Sequence, residues 1–129
     1  MAEVCLLKEE GGTSSKIDIA DRAEENEEAE RGLLCGFCSH LITYPKYSIA
    51  INGEHHHTFF NPAGIVYEIG CFSSAEGCSL HGPPTGDFTW FAGYVWRLAL
   101  CASCFAHLGW SFGSDGGMFY GLIRKNLAG

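Results

Sequence analysis

Two cysteine pairs, Cys35-Gly36-Phe37-Cys38 and Cys101-Ala102-Ser103-Cys104, constrain this chain more than any other feature, with 62 residues between them. The Cys-x-x-Cys spacing lets two thiolates of one tight turn reach the same tetrahedral ion. Two such turns supply four sulfurs, which is a closed structural zinc site with no position left for a reacting water. The ligand pairs of a small zinc finger lie within about twenty residues of each other. Here the one zinc ion is expected to join two distant turns and to hold shut the domain between them. A redox dithiol would need a thioredoxin-like βαβ setting, and the pattern between the pairs does not provide one.

That pattern reads as strands. Residues 41–43 and 47–51 are rich in β-branched and aromatic side chains and alternate in polarity. Asn52-Gly53 marks a hairpin, because both residues tolerate positive φ. Thr58-Phe59-Phe60 returns that hairpin, Asn61-Pro62-Ala63-Gly64 makes the next turn, and residues 65–72 form the next strand. Cys78-Ser79-Leu80 is a short strand expected to stop at the breaker Gly82-Pro83-Pro84-Thr85-Gly86. Phe88-Thr89-Trp90-Phe91 follows, with Phe88 and Trp90 on one strand face. After a bend at Gly93, residues 95–100 run straight into the second cysteine turn. Residues 107–112 and 118–123 pair around Ser114-Asp115-Gly116-Gly117. Short strands with turn signals every eight to twelve residues mean an all-β domain of antiparallel hairpins.

Charge separates the chain into two parts. The net charge is −7. Residues 1–31 hold ten acids and four bases, and residues 32–129 hold five acids and four bases. The first part has helix formers but no apolar stripe, so it reads as a flexible acidic segment. The second is the folded domain, nearly neutral and without the basic stripe that nucleic-acid binding needs. No run of 18 apolar residues is present, so no membrane partner is expected. The first ten residues lack the features of a signal peptide. Together these favour a reducing, cytoplasmic setting, where such cysteine pairs bind metal.

The three tryptophans, Trp90, Trp96 and Trp110, all fall within 21 residues. Phe112 shares a strand face with Trp110, since side chains two apart point the same way. In a small β protein such rings can simply fill the core. Two features favour a ligand box instead: Trp90 adjoins the Gly-Pro-Pro-Thr-Gly loop, and Trp110 follows Gly109, where backbone can approach closely. A cation would use ring faces and a nearby carboxylate. A neutral ring would use stacking and backbone hydrogen bonds. Of the other candidates, His55-His56-His57 reads as a solvated run, His107 as a packing residue, and His40 and His81 carry no visible partner. Cys71 and Cys78 read as buried apolar residues, and Cys5 as a tail thiol. No catalytic motif appears and the carboxylates after residue 31 are scattered, so no catalytic residue is assigned and no enzyme is expected.

Taken in order, Cys35-x-x-Cys38, Phe60-Asn61-Pro62-Ala63-Gly64, Phe88-Thr89-Trp90-Phe91-Ala92-Gly93-Tyr94-Val95-Trp96 and Cys101-x-x-Cys104-x-x-His107-Leu108-Gly109-Trp110-Ser111-Phe112 resemble the cereblon-type thalidomide-binding domain family, often called CULT. The resemblance covers about residues 33–127. It implies a β-tent, two antiparallel sheets meeting steeply and pinned at one end by zinc on Cys35, Cys38, Cys101 and Cys104. It implies an aromatic cage of Trp90, Trp96 and Trp110, closed by Phe112, with Phe88 alongside and Asn61 near the mouth. The ligands implied are cyclic imides of the glutarimide type, uracil-like rings, and peptides ending in a cyclised imide. The family's namesake has His where this chain has Phe88, which removes one side-chain hydrogen bond. It also carries a Lon-like domain and a ubiquitin-ligase adaptor-binding region that this stretch lacks. On that ground the chain looks like a stand-alone form, and no ubiquitin-ligase adaptor role is expected. The alternative is a methionine sulfoxide reductase B-type enzyme, which shares the tent and the zinc quartet but needs a cysteine on a late strand.

Overall fold

The structure is a computed structural model that describes residues 31–129; the rest of the acidic segment lies outside the described residues. Residues Gly32–Gly129 form one compact unit. Its strands are β1 (Leu33–Cys35), β2 (Leu41–Thr43), β3 (His56–Phe60), β4 (Val66–Phe72), β5 (Cys78–Thr85), β6 (Val95–Cys101), β7 (His107–Ser114), β8 (Gly117–Ile123) and β9 (Leu127–Ala128). They make two antiparallel sheets: a small one in the order β9-β1-β2, and a six-stranded one in the order β3-β4-β8-β7-β6-β5. The expected all-β tent is what forms. One strand of each sheet ends in a metal-type cysteine, β1 at Cys35 and β6 at Cys101.

Two apolar clusters fill the unit. The first, at the cysteine end, gathers Cys35, Ile42, Phe72, Ala75, Cys101, Leu108 and Leu122. The second, further along the large sheet, gathers Ile69, Cys71, Phe91, Trp110, Phe112, Phe119 and Ile123. A close backbone contact joins the sheets beside the first cluster. The Gly77 N–H donates to the Ile42 carbonyl of β2 at 3.0 Å, while its own carbonyl accepts from Ala102 at 2.9 Å. A Cβ at Gly77 would run into the Leu41 carbonyl and lie 2.6 Å from the Ile42 Cα. Only glycine permits this approach.

The turns at residues 52–53 and 115–116 fall where the sequence places them, but Thr58-Phe59-Phe60 pairs with β4 and does not return onto residues 47–51. Asn52 and Gly53 have φ of +54° and +88°, and Phe112 pairs with Phe119 across β7 and β8. Three further expectations change. Residues 47–51 are not a ladder strand: a 3₁₀ turn at Pro45–Tyr47 leads into isolated bridges at Ser48 and Ile51. β5 does not stop at the prolines but runs on to Thr85. It can do so because it is the sheet edge, where a missing N–H leaves no ladder bond unmade, and the register shifts between His81 and Thr85. The third change concerns Phe88. Residues 86–94 form a loop rather than a strand, and Phe88 lies at φ +57°. The period-2 argument that put Phe88 and Trp90 on one face fails: Phe88 is 77% exposed and Trp90 half-buried.

Candidate functional site

The two cysteine turns are built alike. In the first, Cys35 N–H donates to His40 O at 2.8 Å and Ser39 N–H to Cys35 O at 2.8 Å. In the second, Cys101 N–H donates to Ala106 O at 2.8 Å and Phe105 N–H to Cys101 O at 2.9 Å. Ser39 and Phe105, each one residue past its pair, both adopt positive φ, +67° and +64°. That turn conformation folds each second cysteine back over the first. Backbone amides then point at sulfur, Phe37 N–H to Cys35 Sγ at 3.4 Å and Ser103 N–H to Cys101 Sγ at 3.4 Å.

The four Sγ atoms lie within 4.8 Å of one another, with Cys35 to Cys104 at 3.7 Å and Cys38 to Cys101 at 3.6 Å. They can hold one metal ion between the sheets. Asn126, which the sequence did not single out, ties the first turn to β7. Its carbonyl accepts from Gly36 at 2.9 Å and its side-chain amide donates to His107 O at 3.0 Å.

At the other cluster, Asn61, Phe88, Trp90, Trp96, Trp110 and Phe112 all line one cavity of about 330 Å³. Three elements bring them together. Trp110 and Phe112 are two apart on β7, and Trp96 of β6 is the cross-strand partner of Phe112, so these three rings share a face. Trp110 lies opposite Gly121 of β8, where a Cβ would be 2.9 Å from the Phe112 ring and 2.8 Å from Ile69. The missing side chain is what lets Phe112 lie flat there. Trp90 arrives on the loop, edge-on to Trp110 with centroids 4.7 Å apart.

Phe91 anchors that loop. It is 2% exposed, and its ring meets Phe112, Phe119 and Phe59 edge-on at 4.9 to 5.2 Å. Two indole N–H groups fasten the walls to backbone. Trp90 Nε1 donates to Phe60 O at 2.9 Å, and Trp96 Nε1 donates to Asp87 O at 2.8 Å. Phe59 stacks on Trp90 at 5.0 Å, so one face of that indole is already covered. Asn61 is partly spent on its own turn, since its Oδ1 accepts from Ile65 N–H at 2.8 Å.

Tyr67 and Pro62 complete the lining, and the sequence reading missed both. Tyr67 stands on β4 opposite Phe59 and packs edge-on against Trp110 at 5.1 Å. Its inward phase could be read from the alternation with the buried Ile69, but not the wall it would meet. Among the residues lining the cavity none is charged.

The remaining candidates take structural places. His55 Nδ1 and His57 Nε2 each lie 3.1 Å from a carbonyl, of Ile49 and Ile51. The triplet is therefore not a uniformly solvated run: only His56 is exposed, beside Glu68 at 3.5 Å. His81 does find a partner, Ser79 Oγ at 2.8 Å. His107 packs edge-on against Trp110 at 4.8 Å and donates from Nε2 to Gly109 O at 2.9 Å. Cys71 is fully buried, and burial pushes its thiol up to about 11. Burial, helped by the nearby Cys101 and Cys35 sulfurs, pushes Cys78 up to about 12. Neither is a ready nucleophile. No helix among the described residues is long and apolar enough to cross a membrane.

Fold and site together define a metal-knuckled β-tent with an aromatic cavity. No protein-family model matches the chain. Cereblon of Danio rerio is 30% identical over 120 residues, 87% of this chain and 26% of the relative. Cereblon of Drosophila pseudoobscura pseudoobscura is 34% identical over 100 residues, 70% of this chain and 15% of the relative. Cereblon of Gallus gallus is 34% identical over 74 residues, 54% and 17% respectively. The chain carries a cereblon-type domain and spans about a quarter or less of the length of these relatives.

One expectation is corrected by this finding. From the sequence, no adaptor role in a ubiquitin ligase is expected, on the ground that this stretch lacks the regions that precede the domain in the family's namesake. The relatives are cereblons themselves, and the match covers only a fraction of their length. What lies outside that fraction cannot argue against the role, and the exclusion does not stand.

Proposed function

We propose that this domain is a zinc-stabilised binding module whose cavity holds a neutral cyclic imide or uracil-like ring, free or at the end of a peptide, and carries out no reaction on it. The observation that carries the reading is an unpaired backbone edge beside the tryptophans. Among the described residues, the Phe88 carbonyl and the Trp90 N–H have no hydrogen-bond partner, although both belong to a loop fastened by its neighbours. An imide offers one N–H flanked by carbonyls. Its N–H suits the Phe88 acceptor and a carbonyl suits the Trp90 donor, while the ring's carbon edge lies against the indoles. Neutrality follows from the lining: a cation would need a carboxylate at the cage, and an anion would need a positive group. The lining has neither.

Four cysteine sulfurs at this spacing support zinc as the ion. A tetrahedral ion with bonds of about 2.3 Å sets its sulfurs about 3.8 Å apart, close to the 3.6 and 3.7 Å found. Four thiolates leave no open position, so the ion would serve structure alone. The reductase alternative loses its central requirement, because β8 carries no cysteine and Cys71 and Cys78 are held as thiols. If the ring is borne by a protein, the cage would be the end that recognises it in a ubiquitin-ligase receptor.

Titration of glutarimide against the intrinsic tryptophan fluorescence tests the reading. Saturable quenching is expected, with affinity falling at least about thirtyfold in Trp96→Ala, as for loss of about 2 kcal/mol at a central aromatic contact. No response at millimolar glutarimide, or an unaltered response in Trp96→Ala, would reject it.

A further inference from the structure

The polar equipment of the cavity is small enough to account for group by group. The indole N–H groups of Trp90 and Trp96 already donate to Phe60 O and Asp87 O. The Asn61 Oδ1 accepts from Ile65 with one of its two lone pairs, and its amide nitrogen is a donor. Trp110 can only donate. Phe88, Phe112 and Pro62 bring no side-chain polar group. The lining carries one hydroxyl, that of Tyr67, which has no hydrogen-bond partner among the described residues and can both donate and accept. Its ring is fixed between two walls, 5.1 Å from Trp110 and 5.9 Å from Trp90, and it stands on β4 rather than on the loop that offers the backbone edge. A hydroxyl held by a packed ring loses little entropy when it forms a bond, which is how a few placed polar groups set specificity in an apolar site.

We propose that Tyr67 determines specificity, its hydroxyl selecting rings that carry an N–H beyond the imide edge over rings whose remaining perimeter is all hydrocarbon. This rests on the imide reading of the cage. A glutarimide sets its N–H and one carbonyl on the backbone edge; its second carbonyl is shared by all three kinds of ring and does not discriminate, and the rest of its perimeter offers Tyr67 only methylenes. A dihydrouracil has a further ring N–H. A glutarimide attached to a peptide through its α-nitrogen has an exocyclic amide N–H. Both of the latter give the hydroxyl a donor to accept from. Leaving that hydroxyl facing hydrocarbon is the penalty that discriminates.

The test measures the affinity of the metal-loaded protein and of Tyr67→Phe for glutarimide, dihydrouracil and N-acetyl-3-aminoglutarimide by tryptophan fluorescence. Tyr67→Phe keeps the ring and its packing. Affinity for dihydrouracil, for the acetylated ring, or for both should fall about three- to tenfold, as for one lost hydrogen bond, with glutarimide unchanged. Loss confined to dihydrouracil names a pyrimidine-type ligand, and loss confined to the acetylated ring names a peptide end. Equal loss for all three rings, or no loss for any, overturns the assignment of Tyr67 while leaving the cage in place. No response of the wild-type protein to any ring overturns the cage reading and this proposal with it.

Discussion

The two ends of the tent are held by different kinds of force. At the cysteine end, two turns of the same backbone design present four sulfurs to one point. The geometry there is local, repeated and set by residues at fixed spacing. At the cage end nothing repeats. Three rings come from adjacent strands, one from a loop, and their order depends on Phe91 packing beneath them and on two indole N–H groups tied to backbone. The first end gathers four sulfurs that can ligate one ion. The second is stabilised by apolar burial and leaves polar edges unpaired, which is where recognition can occur.

The largest effect should come from breaking the first end. Removing the metal, or replacing Cys101 by Ser, takes away a ligand buried in the core cluster that both sheets share. Structural zinc contributes on the order of 10 kcal/mol in small domains, more than the whole stability of most domains of this size. We expect loss of the near-ultraviolet circular dichroism and of any ligand-induced quenching together. A metal-free Cys101→Ser protein that still melts cooperatively would show that the cage end stands alone.

Next comes the support of the cage against its walls. Phe91→Ala should cost about 3–5 kcal/mol, as for other buried aromatic truncations, and abolish binding by releasing the loop that carries Trp90. Trp96→Ala should leave the melting temperature close to that of the wild type, because Trp96 is half-exposed, yet weaken binding. Thermal melts and titrations of the pair separate a residue that holds the site from one that forms it. Equal destabilisation by the two would erase that distinction.

Phe88 offers a smaller and opposite effect. A non-glycine residue at φ +57° carries about 1–2 kcal/mol of strain, and with 77% of its surface exposed it recovers little by packing. Phe88→Gly relieves the strain but adds about 0.5–1 kcal/mol of unfolded-state entropy. Stability should therefore stay level or rise by up to about 1 kcal/mol, measured by denaturant unfolding. A loss beyond about 1 kcal/mol would mean that the ring packs in solution.

The same contrast decides what could be read from the sequence. Cys-x-x-Cys spacing is a local code, so Cys35, Cys38, Cys101 and Cys104 were legible at once, as were Asn52-Gly53 and the alternation of β4 and β7. The rings of the cage were legible as residues but not as an arrangement. Trp110 and Phe112 share a face because they lie within one strand, whereas Phe88 departs from period 2 through a backbone conformation its residue type does not announce. Tyr67, Phe91 and Asn126 act across strand pairings that no local pattern encodes. Gly77 matters only because another chain segment passes against it.

His107 stands where the two ends meet, three residues past Cys104 and edge-on to Trp110, and it sets the smallest effect. Burial holds its imidazole below the ordinary 6.5, partly opposed by the hydrogen bond to the Gly109 carbonyl. As the pH falls below about 6.5, the unfolded chain takes up a proton here that the folded chain refuses, so stability is present above that value and is lost on acidification until the folded group itself titrates. The slope from this one group cannot exceed about 1.4 kcal/mol per pH unit. His107→Gln keeps a donor for Gly109 but cannot titrate. Between pH 7.5 and 5.5, with metal in excess, the wild type should therefore lose more stability than His107→Gln. Identical losses would put the acid sensitivity in groups that both proteins share, and not at the junction with the cage.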